Sequence, residues 1–345
     1  MFKASFDPQR QRACRKNEHE YRDRHAVGSG ADALIVSAVL KSSEAPLITP
    51  EDIVALIEQA DALRQSRTHG REVFLRHSGD ARSAHLGRGL DFEEVRAYQA
   101  GDDIRAMDWR TTARTGKPYL KIYREEHHPA LHLVVDRSAG MRFGTQRQLK
   151  VTQAARVAIA AAVLESSAHA CIGASLIDSE FQVLPCLNRQ AGILQLAQTC
   201  ALPCPPLSQN MQDIHAQWLA CLRRMATTLP NGSRVLIISD FQWLFAEARL
   251  LLAHLAAHHD LAAIQVSDPA EHQLPALGRM PFYDLTQSQV RWIDTSNRLV
   301  REHFAQAATQ RHTELIDMLA ELDIDCYTIS TRDDTMNLFL GNLNG

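Results

Sequence analysis

The chain has 345 residues, 45% of them hydrophobic, and a formal charge of −3, a composition typical of globular proteins with room for one large domain and a smaller one. That charge generates no long-range field to attract nucleic acid or an anionic membrane, and the apolar run from Ala33 to Leu40 falls far short of the roughly 20 residues a spanning helix needs. Seven cysteines with no C-x-x-C pair fit a reducing compartment better than a disulfide framework. The charged N-terminal stretch lacks the apolar core of a signal peptide, so the sequence reads as cytoplasmic, with no integral membrane segment and no nucleic-acid partner.

Residues 1–30 are rich in charge and close on "GSG", the pattern of a tail and linker. Residues 31–69 form an N-terminal helical segment. In it "TPEDIVALIEQADALRQSR" spaces Ile53, Leu56, Ile57, Ala60 and Leu63 along one helical face, with Pro50 in the first turn. From 70 to 129 the pattern changes to short runs, "EVFLRH", "EVRAYQ" and "YLKIYREE", parted by glycine-containing turns. This predicts a small β-rich module of high charge density.

From 130 to 345 strand and helix patterns alternate. "LHLVVD" precedes an alanine-rich helix over 148–167, followed by "CIGASLID", "FQVLPCL" and helices over 190–200 and 212–228. Then come "SRVLIISD", a helix over 244–258, "LAAIQVSD", a hairpin strand "QVRWIDT", a helix over 297–322, "DCYTIST" and a closing helix. Near-continuous apolar strands alternating with helices predict an α/β fold, a doubly wound, mostly parallel sheet covered on both faces. Gly232 reads as a helix C-cap glycine, and Thr331 with Asp334 as a capping box for the last helix. In such sheets ligands bind at the carboxyl ends of the strands, where the strand order reverses.

Two strands end alike, at Asp136 and Asp240. If both lie centrally, their carboxylates emerge together, and with the Ser138 hydroxyl they offer oxygen ligands to a hard cation such as Mg²⁺ or Mn²⁺. The other reading is that these aspartates complete turns or cap the next helix.

"VVDRSAGM" resembles the first motif of a von Willebrand factor type A domain, D-x-S-x-S, and "IISDF" resembles the strand carrying that domain's last aspartate. The block "GRGLDFEEVRAYQAGDDIRAMDWR" is similar to the bacterial domain-of-unknown-function family 58, in which such a segment precedes a type A domain. The resemblance implies a metal-ion-dependent adhesion site at Asp136, Ser138 and Asp240. It also implies partnership with a MoxR-type AAA+ ATPase in chaperone-like assembly of client complexes. Two departures make the site degenerate. Gly140 replaces the second serine, and "LPCLNRQAG", where the motif's threonine is expected, contains none, leaving Thr145 as a stand-in. Metal binding is therefore expected to be weak or absent.

The charged block mixes Arg88, Asp102, Asp103, Arg105, Asp108 and Arg110 around Trp109. Arginine forks pair with carboxylates, so these residues read either as an ion-pair network or as a partner surface anchored on Arg and Trp. His254 and His258 share a helical face but lack the glutamate of a zinc-protease motif. Cys186, Cys200 and Cys204 could meet around zinc only if the loops allowed it. No phosphate-binding glycine motif and no G-x-S-x-G elbow occurs, so neither a bound nucleotide nor a serine nucleophile is expected. The leading expectation is a non-enzymatic adaptor. The alternatives are a metal-dependent hydrolase using Asp136 and Asp240, or a metal-free scaffold.

Overall fold

The computed structural model describes residues 46–67, 91–99, 107–124, 130–166, 170–178, 181–204, 211–284 and 289–340. In chain order these form α1 (Pro50–Arg67), β1 (Asp91–Ala97), α2 (Trp109–Thr115), β2 (Tyr119–Arg124), β3 (Leu131–Asp136), α3 (Lys150–Leu164), β4 (Cys171–Ile177), β5 (Phe181–Asn188), α4 (Arg189–Ala201) and α5 (Met211–Thr228). There follow β6 (Arg234–Ser239), α6 (Ala246–Ala256), β7 (Asp260–Ser267), α7 (Pro269–His272), β8 (Arg279–Asp284), β9 (Gln289–Asp294), α8 (Arg298–Glu321), β10 (Asp325–Ser330) and α9 (Thr335–Leu340).

Six strands make the central sheet in the order β10-β7-β6-β3-β4-β5. All neighbours are parallel except β4 and β5, which form an antiparallel hairpin. The chain leaves β3 to one side for β4 and β5, then returns on the other side as β6, β7 and β10. The order therefore reverses between β3 and β6.

Side-chain alternation explains the two covered faces. Leu131, Leu133 and Val135 join one core with Leu236, Ile238, Ile264 and Val266, whereas Val134, Val235, Ile237, Leu261 and Ala263 join the other. Strands apolar on both faces can be stable only between two helical layers. Residues of α1, α3, α4 and α9 build the first core, and residues of α5, α6 and α8 the second. In α3, alanine at 154, 155, 158, 160, 161 and 162 is buried, so small side chains let the helix sit deep in the protein. The amphipathic stripe read in α1 packs as expected, with Leu56 and Ala60 buried in the first core.

Several local expectations are corrected. The module before the sheet pairs β1 with β2 and holds a helix, α2, between them. Asp108 starts that helix by accepting the N–H groups of Arg110 and Thr111 and the Thr111 hydroxyl. "EVFLRH" lies outside the described residues. Thr331 does not cap α9. Its hydroxyl is drawn to the Asp268 carboxylate, and Asp334 caps by accepting the Met336 N–H. The capping box is instead at α7, between Asp268 and Glu271. Gly232 takes φ 77° in the turn before β6, four residues beyond the end of α5. The β4–β5 hairpin brings Cys171 and Cys186 to a Cα–Cα distance of 5.5 Å, where they are joined as a disulfide, while Cys200, Cys204, Cys221 and Cys326 are free.

Candidate functional site

At the reversal point Asp136 is the last residue of β3 and Asp240 follows the last residue of β6, so the sheet brings the two sequence-predicted carboxylates to one edge. Asp136 is fully buried. Its Oδ1 accepts the Ser138 N–H at 2.9 Å and its Oδ2 accepts the Ser239 hydroxyl at 2.5 Å. The Ser239 oxygen accepts in turn from the Phe241 N–H and the Trp243 indole N–H, both at 2.9 Å. Trp243 stacks on Trp218 with ring centroids 3.7 Å apart, which ties this loop to α5. Phe241 sits at φ 60°, a conformation costly for a bulky residue and held here by the Ser239 contact.

Asp240 faces a cation supplied by the chain itself. Its Oδ2 lies 2.8 Å from the Lys150 Nζ and its Oδ1 accepts the Gln242 N–H at 3.1 Å. Lys150, the first residue of α3, has no solvent exposure, and its ammonium also reaches Glu271 Oε1 at 2.6 Å. The other Glu271 oxygen accepts the Asp268 N–H at 2.9 Å. Gly140 is needed for this packing, since a Cβ there would stand 2.9 Å from Asp240 Oδ2.

Asp268, at the end of β7, is a third strand-end aspartate. It accepts the Thr145 N–H at 2.8 Å, the Thr145 hydroxyl at 2.5 Å, the Thr331 hydroxyl at 2.6 Å and the Ala270 N–H at 3.0 Å. Thr145, considered as a substitute ligand beside Asp136, is therefore committed to Asp268 instead.

The electrostatics follow from these partners. Burial, and secondarily the Asp240 charge, push the Asp136 carboxyl up to about 7 against the opposing bonds from Ser239 and Ser138. Burial alone would lower the Lys150 ammonium, but Asp240 and Glu271 outweigh it and hold it above the ordinary lysine range. Burial would raise Asp268, yet the two threonine hydroxyls and two backbone N–H groups bring it below the ordinary carboxylate range.

Arg137 fastens the edge to α4. Its guanidinium donates to the carbonyls of Thr199, Leu202 and Pro203, each at 3.0 Å, and its Nε lies 3.3 Å from Asp178 Oδ2. A cation at a helix C-terminus satisfies carbonyls that the helix leaves unpaired.

The other sequence candidates do not converge here. Arg88, Asp102, Asp103 and Arg105 lie outside the described residues, Asp108 caps α2, and Trp109 is 65% exposed with Arg110 beside it in the first turn. His254 is exposed on α6 and His258 is exposed just beyond its end, with the His258 ring bonded to the His254 carbonyl. Cys186 is in the disulfide, and burial pushes the Cys200 thiol up to about 12, opposite to what a metal-binding thiolate requires. Sequence reasoning missed Lys150, Asp268 and Glu271. The signals were a lysine heading an otherwise apolar helix, the "VSD" of β7 repeating the "ISD" of β6, and the Asp-x-x-Glu spacing of a capping box.

A family model described as protein of unknown function DUF58 matches residues 94–314. An uncharacterized protein of Mycobacterium bovis is 32% identical over 233 residues, covering 66% of this chain and 71% of its own. An uncharacterized protein of Mycobacterium tuberculosis matches with the same identity and coverage. Among solved structures, an aerotolerance-related membrane protein from Bacteroides fragilis aligns with TM-score 0.39 and 12% identity over 62% of this chain and 96% of its own. BatB from Bacteroides thetaiotaomicron aligns with TM-score 0.37 and 11% identity over 61% and 93%. No helix among the described residues is long and apolar enough to cross a membrane.

Proposed function

The chain belongs to the DUF58 family, and from that premise we propose that it is a non-enzymatic interaction protein that presents the carboxyl edge of its sheet to a protein partner. The edge is a degenerate adhesion site of the von Willebrand factor type A kind, formed by Asp136, Ser138, Gly140 and Asp240. The partner is a MoxR-type AAA+ ATPase, and the joint task is chaperone-like assembly or maturation of client complexes in the cytoplasm. The family resemblance carried by "VVDRSAGM" and the charged block supports that partnership.

One observation carries the adaptor reading. The strand-end carboxylates are engaged by donors of the chain itself: Asp136 by Ser138 and Ser239, Asp240 by Lys150 and Gln242, and Asp268 by two threonines. A general base must reach the proton it abstracts, whereas carboxylates held in this way fix the loops around them. The result suits a rigid surface better than a reaction centre. Gln242, exposed between buried Phe241 and Trp243, marks its solvent side.

The test is a binding assay between the purified chain and a purified MoxR-type ATPase, with and without ATP. Capture should occur and should weaken at least tenfold in Gln242→Arg, with the circular dichroism spectrum unchanged. No capture in either nucleotide state, or equal capture by the variant, would reject this edge as the docking surface.

A further inference from the structure

We propose that Lys150 is a built-in cation that takes the place of a divalent metal ion at the strand-end carboxylates, so that the edge is assembled without metal. A hard divalent ion at this edge would need the oxygen lone pairs of Asp136, Asp240 and neighbouring hydroxyls, arranged in an octahedral or larger shell. Here each of the oxygens best placed to face an ion already has a partner within the chain. Asp240 Oδ2 is 2.8 Å from the Lys150 ammonium, and both Asp136 oxygens accept protons from Ser138 and Ser239. The residue that would supply a second hydroxyl is Gly140, and a side chain there would displace Asp240 Oδ2 from its position beside Lys150. The donor set does not fit a divalent ion, and it fits an ammonium.

The position of Lys150 supports the same conclusion. A lysine at the first residue of a helix opposes the helix dipole, and a fully buried ammonium is stable only when paired. Two carboxylates meet both costs: Asp240 after β6 and Glu271 in α7 after β7. The lysine thus clamps two strand ends and the start of α3 together, the mechanical task a bound ion would perform. A tethered cation is not lost to chelators and does not vary with metal supply. Its ammonium, having no solvent exposure, also offers no open coordination position to an acidic side chain of a partner.

This deepens the adaptor reading without requiring a partner for its test. Full-length purified protein is dialysed against Mn²⁺, its bound metal is counted, and its melting temperature is measured in EDTA and in Mn²⁺. The wild type should retain no stoichiometric Mn²⁺ and should melt at the same temperature in both. Lys150→Ala should melt lower, and Mn²⁺ should raise its melting temperature by occupying the vacated position between Asp240 and Glu271. One Mn²⁺ per wild-type chain, lost in Asp240→Asn, would overturn the proposal, as would Lys150→Ala melting with the wild type or failing to respond to Mn²⁺. Should Lys150→Ala not fold, the pair Lys150→Met with Asp240→Asn, which removes both charges, should recover folding. A pair no more stable than the single variant would also overturn it. Because the purified chain alone is measured, a failure here leaves the adaptor reading standing, and a failed capture of the ATPase leaves the lysine clamp standing.

Discussion

The two ends of β3 solve the same problem in opposite ways. At the carboxyl end Asp136 and Asp240 are surrounded by donors and by a lysine that neutralises one of them. Near the amino end His132, 6% exposed, pairs with the Ser175 hydroxyl at 2.9 Å and has a second histidine, His259, nearby. Burial, with a smaller contribution from His259, lowers the His132 imidazole to about 4, so this ring is kept neutral. Asp240 is buried beside a countercharge, whereas His132 is buried by discharging it. The amino edge also carries an ion pair, Arg234 at the start of β6 with Asp260 at the start of β7, so the contrast holds for the two ends of β3 and not for the whole sheet.

The contrast is broken most severely at Lys150. Lys150→Met leaves Asp240 and part of Glu271 without a countercharge and should cost about 3–5 kcal/mol, the range for breaking a buried ion pair, read as a lower urea midpoint. Asp268→Ala strands the hydroxyl of Thr331 and the N–H of Ala270 and should cost about 2–3 kcal/mol by the same measurement. Gly140→Ala, which brings a Cβ to 2.9 Å from Asp240 Oδ2, should cost about 1–2 kcal/mol, an overpacking penalty. Combined with Lys150→Met it should cost less than the sum, because the clamp it disturbs is already gone.

The smallest effect at neutral pH is that of His132. Its folded value near 4 lies below the ordinary histidine value of 6.5, so the unfolded chain takes up a proton first as pH falls. The stability contributed by neutral burial is complete above about 6.5 and is lost between about 6.5 and 4, amounting to about 3 kcal/mol at the acid end. His132→Gln should flatten that limb in urea titrations at successive pH values. Asp136 has the opposite sign. Its value, raised from 3.8 to about 7, makes stability greatest below 3.8 and progressively weaker as pH rises to about 7. Asp136→Asn should therefore gain relative to the wild type as pH rises through that window.

The sheet was legible because its strands are apolar on both faces and its helices have clear periods. The hairpin strand "QVRWIDT" and the helices of the 130–345 region fall within a few residues of their expected places. Helix α2 was not foreseen, because "WRTTART" has no apolar stripe and owes its start to the Asp108 cap. Thr331 was misassigned for a related reason: its spacing to Asp334 fits a capping box, but its hydroxyl finds a better acceptor 63 residues away in Asp268.

The sequence by itself determined the layered α/β architecture, through the alternation of apolar runs, and it determined that Asp136 and Asp240 end two strands. It also carried the glycine at 140 that lets the Asp240 carboxylate lie close to the loop after β3. Only the tertiary structure decided what those aspartates meet. Lys150 is 90 residues from Asp240 and 121 from Glu271. No local period predicts such a meeting, because it follows from where a buried helix begins relative to the ends of two strands.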